Sequence, residues 1–289
     1  MGIGMNTIWS EKIQGIDTLY LSRQLRFNDI FFDRYAPFLR LKREDKLRIL
    51  EIGCGPGAMA AALHRWYPNA EIVAIDRDST FIEYAGKNVQ GVQFLEGDAT
   101  ALPFEDDSFD VTISYTVCEH VKTDLFYSEQ RRVLKNNGIC LVLSARTGFK
   151  HDAKCMEITE EEKKHTGEIF SKVKRVLMKY EVGAYNMTET QMPREMEKSG
   201  FVDVSTGYAV IDLTPDNPCY SAELAEQMIN AGRHADIEAI VSLKDEERSV
   251  VTKIINRKYD TRIMLYRNRE KQWDTSTSVT LIMSGINRK

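Results

Sequence analysis

Residues 49–57 read ILEIGCGPG: an apolar run that ends in an acid, then glycine at 53, 55 and 57. No other stretch restricts the chain so much. The run reads as the end of a buried strand. Residues 58–66 read as a helix with Met59, Leu63 and Trp66 on one face. A strand that turns sharply into a helix needs residues that tolerate positive φ and carry no Cβ, and the glycines supply them. Such a turn lets a ligand approach the backbone itself, at the positive end of the following helix. The spacing alone is weak evidence; the strand before it and the helix after it strengthen it.

The alternation continues downstream. LRILEI (47–52), EIVAI (71–75), VQFL (92–95), DVTIS (110–114) and GICLVLS (138–144) read as strands. Helices are predicted over 79–87, with Ser79 as a plausible cap, and over 122–135. Strands and helices alternating at this spacing imply βαβ units and a parallel sheet. Ahead of them, residues 1–20 lack a clear period, and 21–41 predict a helix that Pro37 kinks or ends. After Ser144 the pattern changes. Residues 157–181 keep a helical face in Ile169, Val173, Val176, Leu177 and Tyr180, and 188–201 predict a short helix closed by Gly200. Residues 201–213 and 278–286 alternate as strands. Between them, 219–273 contain Gly232 as the only Gly or Pro and predict helix, with Val251, Ile255, Tyr259, Ile263 and Tyr266 recurring every three to four residues.

Composition sets outer bounds. The 289 residues carry a net charge of −4, with no basic surplus for a nucleic-acid backbone. The five cysteines (54, 118, 140, 155, 219) are scattered and form no CxxC pair, which reads as a reducing compartment without structural disulfides. No signal-peptide pattern and no apolar run near the ~20 residues of a membrane span is found, so a cytoplasmic protein without membrane insertion is expected. The histidines (64, 120, 151, 165, 234) show no metal-ligand spacing, so no metal is expected.

In an open parallel sheet a ligand sits beyond the C-terminal strand ends, at the switch point. Asp76 closes the second strand, 19 residues after Gly57 (76 − 57), where an acid can accept from both hydroxyls of a ribose. NAD and other adenosine ligands both fit that far. Against NAD, the run is GCGPG rather than GxGxxG, one residue shorter, and EGDATALPFEDDSFDV (96–111) follows the third strand.

Together LEIGCGPG, AIDRD, EGDATALPFEDDSFDVTIS and VLKNNGICLV resemble the class I S-adenosylmethionine-dependent methyltransferases, nearest to the small-molecule branch that includes quinone-pathway C-methyltransferases. The resemblance covers roughly residues 47–144. The fold class it implies is α/β: a Rossmann-like seven-stranded, mostly parallel sheet with helices on both faces, plus helical lid insertions. The expected parts are an N-terminal helical cap (1–45), an S-adenosylmethionine-binding core (46–149), a helical insertion (150–200), and terminal strands (201–289) with a long helical insertion at about 214–275. By the resemblance, Glu51 and the Gly53 backbone would hold the methionine ammonium end of the cofactor. Gly55 and Gly57 would allow its close approach, and Asp76 would clamp the ribose diol. Asp98 would accept from the adenine amino group, with the Ala99 amide at a ring nitrogen. Ser114 and Tyr115 would lie under the sulfonium, which carboxylates, carbonyls and aromatic faces favour. Arg77 stands where the family often has an apolar residue against the adenine; a guanidinium can stack there instead.

Glu119 and His120, in YTVCEHV, have two readings. His120 is either a general base near the transferred methyl or, with Glu119, a packing pair at a helix start; the second is favoured. Methyl transfer from a sulfonium is an in-line displacement that positioning alone can accelerate, so a base is not obligatory. Cys118 and Cys155 read as buried small hydrophobes rather than thiol ligands. The run EITEEEKKH (157–165) reads as a solvated helix face. Phe27, Phe31, Phe32 and Tyr35 read first as core and second as a substrate roof, where Arg23 and Arg26 would meet an acidic substrate group. The resulting expectation is a methyltransferase acting on an O, N or C nucleophile of a small molecule, with S-adenosylhomocysteine as product. The alternatives are a protein or RNA acceptor, and a non-catalytic S-adenosylmethionine-binding regulator. Oligomeric state is left open.

Overall fold

The computed structural model describes residues 9–160, 162–163, 180, 182–241 and 243–289. His165 and the helical face expected from Ile169, Val173, Val176 and Leu177 lie outside the described residues.

Five strands pair in parallel in the order β3-β2-β1-β4-β5: β1 (Arg48–Ile52), β2 (Glu71–Asp76), β3 (Val92–Glu96), β4 (Phe109–Tyr115) and β5 (Leu134–Arg146). Next to β5 lies β8 (Thr275–Asn287), antiparallel, with β7 (Phe201–Asp212) antiparallel on its far side. The two-residue β6 (Lys150–His151) pairs the start of β8 and makes the eighth strand of the sheet. The chain runs outward from β1 through β2 to β3, then returns to β4 on the other flank. The switch point therefore falls between the C-terminal ends of β1 and β4.

Alternation splits each inner strand between two cores. Ile49, Ile72, Ala74, Val111 and Ile113 join the core on one face, with α3 (Ala58–Trp66) and the aromatic residues Phe27, Phe31 and Tyr35. Leu50, Ile52, Val73, Ile75, Cys140 and Val142 join the core on the other, with α5 (Thr123–Val133) and α6 (Gln191–Lys198). Alternation is the reason both faces of β1 read as one apolar run.

The N-terminal region departs from its expectation. Helix α1 begins earlier, at Ile16–Arg26, and the break in the predicted helix falls at Phe27 and Asn28 rather than at Pro37. The Asn28 side chain accepts from the Ile30 amide and starts a short 3₁₀ turn that leads into α2 (Phe32–Leu39). Pro37 lies inside α2, which ends two residues later with Arg40 in the left-handed region at φ 58°. The cap of α4 (Ser79–Asn88) is Asp78, not Ser79: its carboxylate accepts from the Thr80 amide at 3.0 Å. Gly200, at φ 91°, follows the end of α6, where a left-handed residue is required.

The region predicted as helical after β7 forms two helices, α7 (Ala222–Ala239) and α8 (Asp245–Arg267). They enclose a third core with Met156, Ile229, Ile240, Val251, Ile255 and Tyr259. Arg262, fully buried on α8, is paired with Asp216 and Asp274. Asp216 Oδ2 also accepts from the Gln272 and Trp273 amides at 2.8 Å, so the buried guanidinium and both acids are ion-paired, with Asp274 partly exposed and Arg262 Nη1 making no hydrogen bond. Helix α7 packs on α1, where the Gly15 amide donates to Glu238.

Candidate active site

A pocket with about 900 Å³ of empty space, part of it open to solvent, lies over the switch point. Strand parity decides which side chains reach it. Glu51, Asp76 and Tyr115 continue the face of Ile49, Ala74 and Ile113, and all three line the pocket. Ser114 has the opposite parity. It is fully buried on the α5 side with its hydroxyl unpartnered, and it is not among the lining residues. Thr116 and Val117 stand in the wall beside Tyr115.

The remaining sequence-predicted residues divide in the same way. Gly53, Gly55, Arg77, Asp98, Ala99, His120 and Arg23 line the pocket. Gly57 lies just outside it, at φ 87°, where an added Cβ would meet Ala85 and Phe94 at 3.0 Å; it shapes the turn. Phe27 and Phe31 belong to the core behind the wall, with the Phe27 ring edge-on to Tyr115 at 5.1 Å. Arg26 turns to Ser278 and to the Ser22 carbonyl. Trp9, Leu19, Phe81 and Val121 also line the pocket and were not singled out from the sequence, and Met59, read there as part of a helix face, lines it too. Trp9 falls in a segment without period, where no pattern could have found it.

Three carboxylates face this space. Glu51 is 2% exposed, and its Oε2 has no hydrogen-bond partner. Burial holds its pKa well above the ordinary value, nearby Asp76 adds to this, and Arg23 opposes it. Asp76 Oδ2 accepts from the Gly55 amide at 2.8 Å and Oδ1 from the Asp78 amide at 2.9 Å, so it braces the glycine turn. Each of these oxygens keeps a second lone pair for a ligand. Burial raises the Asp76 pKa, and the two amide bonds pull it back. Asp98 spends Oδ1 on the amide and hydroxyl of Thr100, both at 2.7 Å.

His120 Nδ1 accepts from the Gly183 amide at 2.9 Å, and its ring lies edge-on to Trp9 at 4.7 Å. Burial lowers its pKa. A neutral imidazole that accepts at Nδ1 carries its proton on Nε2, so neither nitrogen is free to take a proton in this geometry. Glu119 is buried and accepts from Ser144 and, at 3.4 Å, from Cys118 Sγ. Cys118 is buried; Cys155 is only partly so. Among the described residues no group of three or more His, Cys, Asp and Glu could hold a metal ion, and no helix is long and apolar enough to cross a membrane.

Fold and site define a class: a Rossmann-like α/β protein with a carboxylate-lined pocket at its switch point. The likeness to class I S-adenosylmethionine-dependent methyltransferases follows at the level of relatives. Residues 50–142 match the family model described as a methyltransferase domain. The fatty-acid O-methyltransferase of Mycolicibacterium smegmatis is 35% identical over 105 residues, 35% of this chain and 38% of its own. The demethylmenaquinone methyltransferase of Thermus thermophilus is 36% identical over 129 residues, 43% of this chain and 58% of its own. In each, the match spans less than two thirds of the relative. The Haemonchus contortus phosphoethanolamine N-methyltransferase 2, solved with phosphomonomethylethanolamine and S-adenosylhomocysteine, shares the fold at a TM-score of 0.55 and 15% identity, over all of this chain and 61% of that one.

The residues present fit S-adenosylmethionine. The unpartnered Glu51 oxygen could accept from the ammonium of the methionyl end. A Cβ at Gly53 would stand 2.4 Å from Val117 Cγ2, so only glycine fits where the turn packs against Val117 in the pocket wall.

Proposed function

We propose that this chain transfers the methyl group of S-adenosylmethionine to an O, N or C nucleophile of a small molecule. The observation that carries the proposal is the juxtaposition, over the switch point, of the buried unpartnered Glu51 carboxylate, the Gly53–Gly55 turn and Asp76. Glu51 would take the methionine ammonium, Asp76 the ribose diol, and Asp98 with the Ala99 amide the adenine. The cofactor supplies an electrophilic methyl on a sulfonium; the chain's residues position it and exclude water. Trp9, Leu19, Met59, Phe81, Val117 and Val121 give the pocket a largely apolar wall, suited to an acceptor with an apolar body. By name, the two curated relatives act on fatty acids and on demethylmenaquinone, both small molecules. No proton acceptor is assigned, since His120 is engaged at Nδ1.

The test is calorimetric titration with S-adenosylhomocysteine and with NADH, repeated on Asp76→Ala, followed by turnover of S-adenosylmethionine with a metabolite extract. Binding of S-adenosylhomocysteine alone, weakened by the substitution, supports the cofactor reading. Preference for NADH, or no binding, refutes it. Binding without any turnover would leave a sensor rather than an enzyme.

A further inference from the structure

The end of the sheet that holds the pocket continues into a two-stranded ribbon. Tyr115 of β4 is level with Leu143 of β5, and Leu143 with Ile282 of β8. β8 begins at Thr275, so with β6 it runs on past that level, where Lys150 pairs with Ser276 and His151 with Thr275. Phe149 joins the ribbon opposite Thr277, whose amide donates to its carbonyl at 2.9 Å and whose hydroxyl accepts from its amide at 2.7 Å. Thr277 lies five residues before Ile282 (282 − 277), roughly 15–20 Å of strand rise. Two large apolar side chains stand in water here. Phe149 is 74% exposed, the most of any large apolar side chain among the described residues, and Trp273 is 54% exposed. The backbone of Trp273 has φ 56°, which a bulky residue rarely adopts. Its amide donates to Asp216, which the buried Arg262 holds in turn. The buried ion pair therefore fixes a strained turn that presents the Trp273 ring to water. Strain of this kind persists where a binding surface uses it.

The surroundings are basic, in a chain whose net charge is −4. Lys154, in the 3₁₀ turn after the ribbon, and Arg269 and Lys271, just ahead of Trp273, have no ion pair among the described residues. Lys271 Nζ lies 4.8 Å from the centre of the Trp273 ring. Lys150 is offset by Asp152, Arg267 by Glu226, and Asp274 by Arg262, which leaves Glu270 as the one acid set against the three cations. Exposed aromatic rings among lysines and an arginine match the boundary of an anionic bilayer, where rings enter the headgroup layer and cations meet its phosphates. A second copy of the chain would set the same positive surplus against itself. Single-stranded nucleic acid asks for a groove that follows its backbone, whereas Phe149 and Trp273 stand out from a ribbon.

We propose that this ribbon docks the protein on an anionic membrane surface, with Phe149 and Trp273 in the headgroup layer and Lys154, Arg269 and Lys271 on the lipid phosphates. Docking of this kind is peripheral and needs no membrane-spanning helix. The pocket lies at the same end of the sheet, so docking brings it towards a phase in which an acceptor with an apolar body dissolves. The docking needs no cofactor and stands apart from the methyl-transfer reading.

The experiment is co-sedimentation of the full chain with vesicles of phosphatidylcholine alone and of equal parts phosphatidylcholine and phosphatidylglycerol. The wild type should bind the anionic vesicles at least about tenfold more tightly and lose most of that margin at high salt. Phe149→Ser and Trp273→Ser should each weaken binding about tenfold, and Lys271→Gln about fivefold, with the far-UV circular dichroism of the wild type retained. Brominated lipid should quench the tryptophan emission of the wild type, a measurement that needs no variant to fold. Trp273→Phe should bind within about threefold and lose the quenching, because Trp9 and Trp66 sit in the pocket wall and the core. The proposal is overturned if the wild type does not sediment with anionic vesicles, if the double variant Phe149→Ser, Trp273→Ser binds them as well as the wild type, or if the quenching survives in Trp273→Phe. It is equally overturned if, without vesicle binding, the double variant abolishes a dimer or the binding of single-stranded RNA. A wild type that binds vesicles but not S-adenosylhomocysteine would overturn the methyl-transfer reading alone.

Discussion

Replacing Glu51 with glutamine should stabilise the ligand-free protein and weaken its hold on cofactor. The buried carboxylate has an oxygen without a partner, and both burial and Asp76 push its pKa up. Folding therefore favours its neutral form. Its contribution to stability is fully present below the ordinary value of 4.5 and is lost as pH rises through the raised folded value. At pH 7.5 the wild type carries that cost and the neutral amide does not. An unsatisfied buried polar group costs about 1–3 kcal/mol, and a charged one more. At about 2–4 °C per kcal/mol for a chain of this size, Glu51→Gln should melt about 2–12 °C higher without ligand. The same change removes a charge-assisted bond to an ammonium, about 1.5–3 kcal/mol, or roughly 10–150-fold in affinity for S-adenosylhomocysteine. Differential scanning calorimetry from pH 5 to 8, with and without ligand, reads both. Without ligand the variant's lead over the wild type should grow as pH rises from 5 to 8, and added ligand should narrow or reverse it. Because Asp76 also titrates high, only the difference between the proteins isolates Glu51. A variant that melts no higher than the wild type at pH 7.5 and binds ligand equally well would refute this account of the site.

Two further outcomes are expected. His120→Gln should lower kcat/KM less than about tenfold and add no new limb to the pH profile, because Nδ1 already holds the Gly183 amide; a loss of about 100-fold or more would mark a proton-transfer role. Arg262→Met should lower stability by about 3–5 kcal/mol in thermal unfolding, since Asp216 would be left as a buried charge and Asp274 would lose its partner, yet leave S-adenosylhomocysteine affinity unchanged below the melt.

The strands that hold the site were readable because a β-strand buried on both faces needs an unbroken apolar run, and LRILEI, EIVAI and DVTIS are such runs. Which side each residue faces was less legible. Ser114 and Tyr115 were taken together from the motif, but a pleated strand sends neighbours to opposite faces, and only Tyr115 reaches the pocket. Helix α1 was placed too far along because its cap is a glycine without a side-chain bond and its pocket face mixes Leu19 with Arg23, which blurs the apolar period. The bond from Gly183 to His120 spans 63 residues and joins a backbone amide to a ring, so no residue pattern announces it.

The position of β8 has a consequence for the order in which the chain can assemble. β5 and β7 do not pair with each other; each pairs with β8, which lies between them. During synthesis the ribosome delivers β5 and β7 long before their common partner, at residues 275–287. Until then both present open backbone edges, the condition under which strands pair with the wrong neighbour. The roof over the cofactor pocket waits as well, because Gly15 is tied to Glu238, 223 residues downstream. A nascent chain could already have its glycine turn and its three carboxylates, and still be unable to close over a cofactor. The protein should therefore depend on chaperones or on slow late folding steps, and cofactor added early in refolding should do little to speed it.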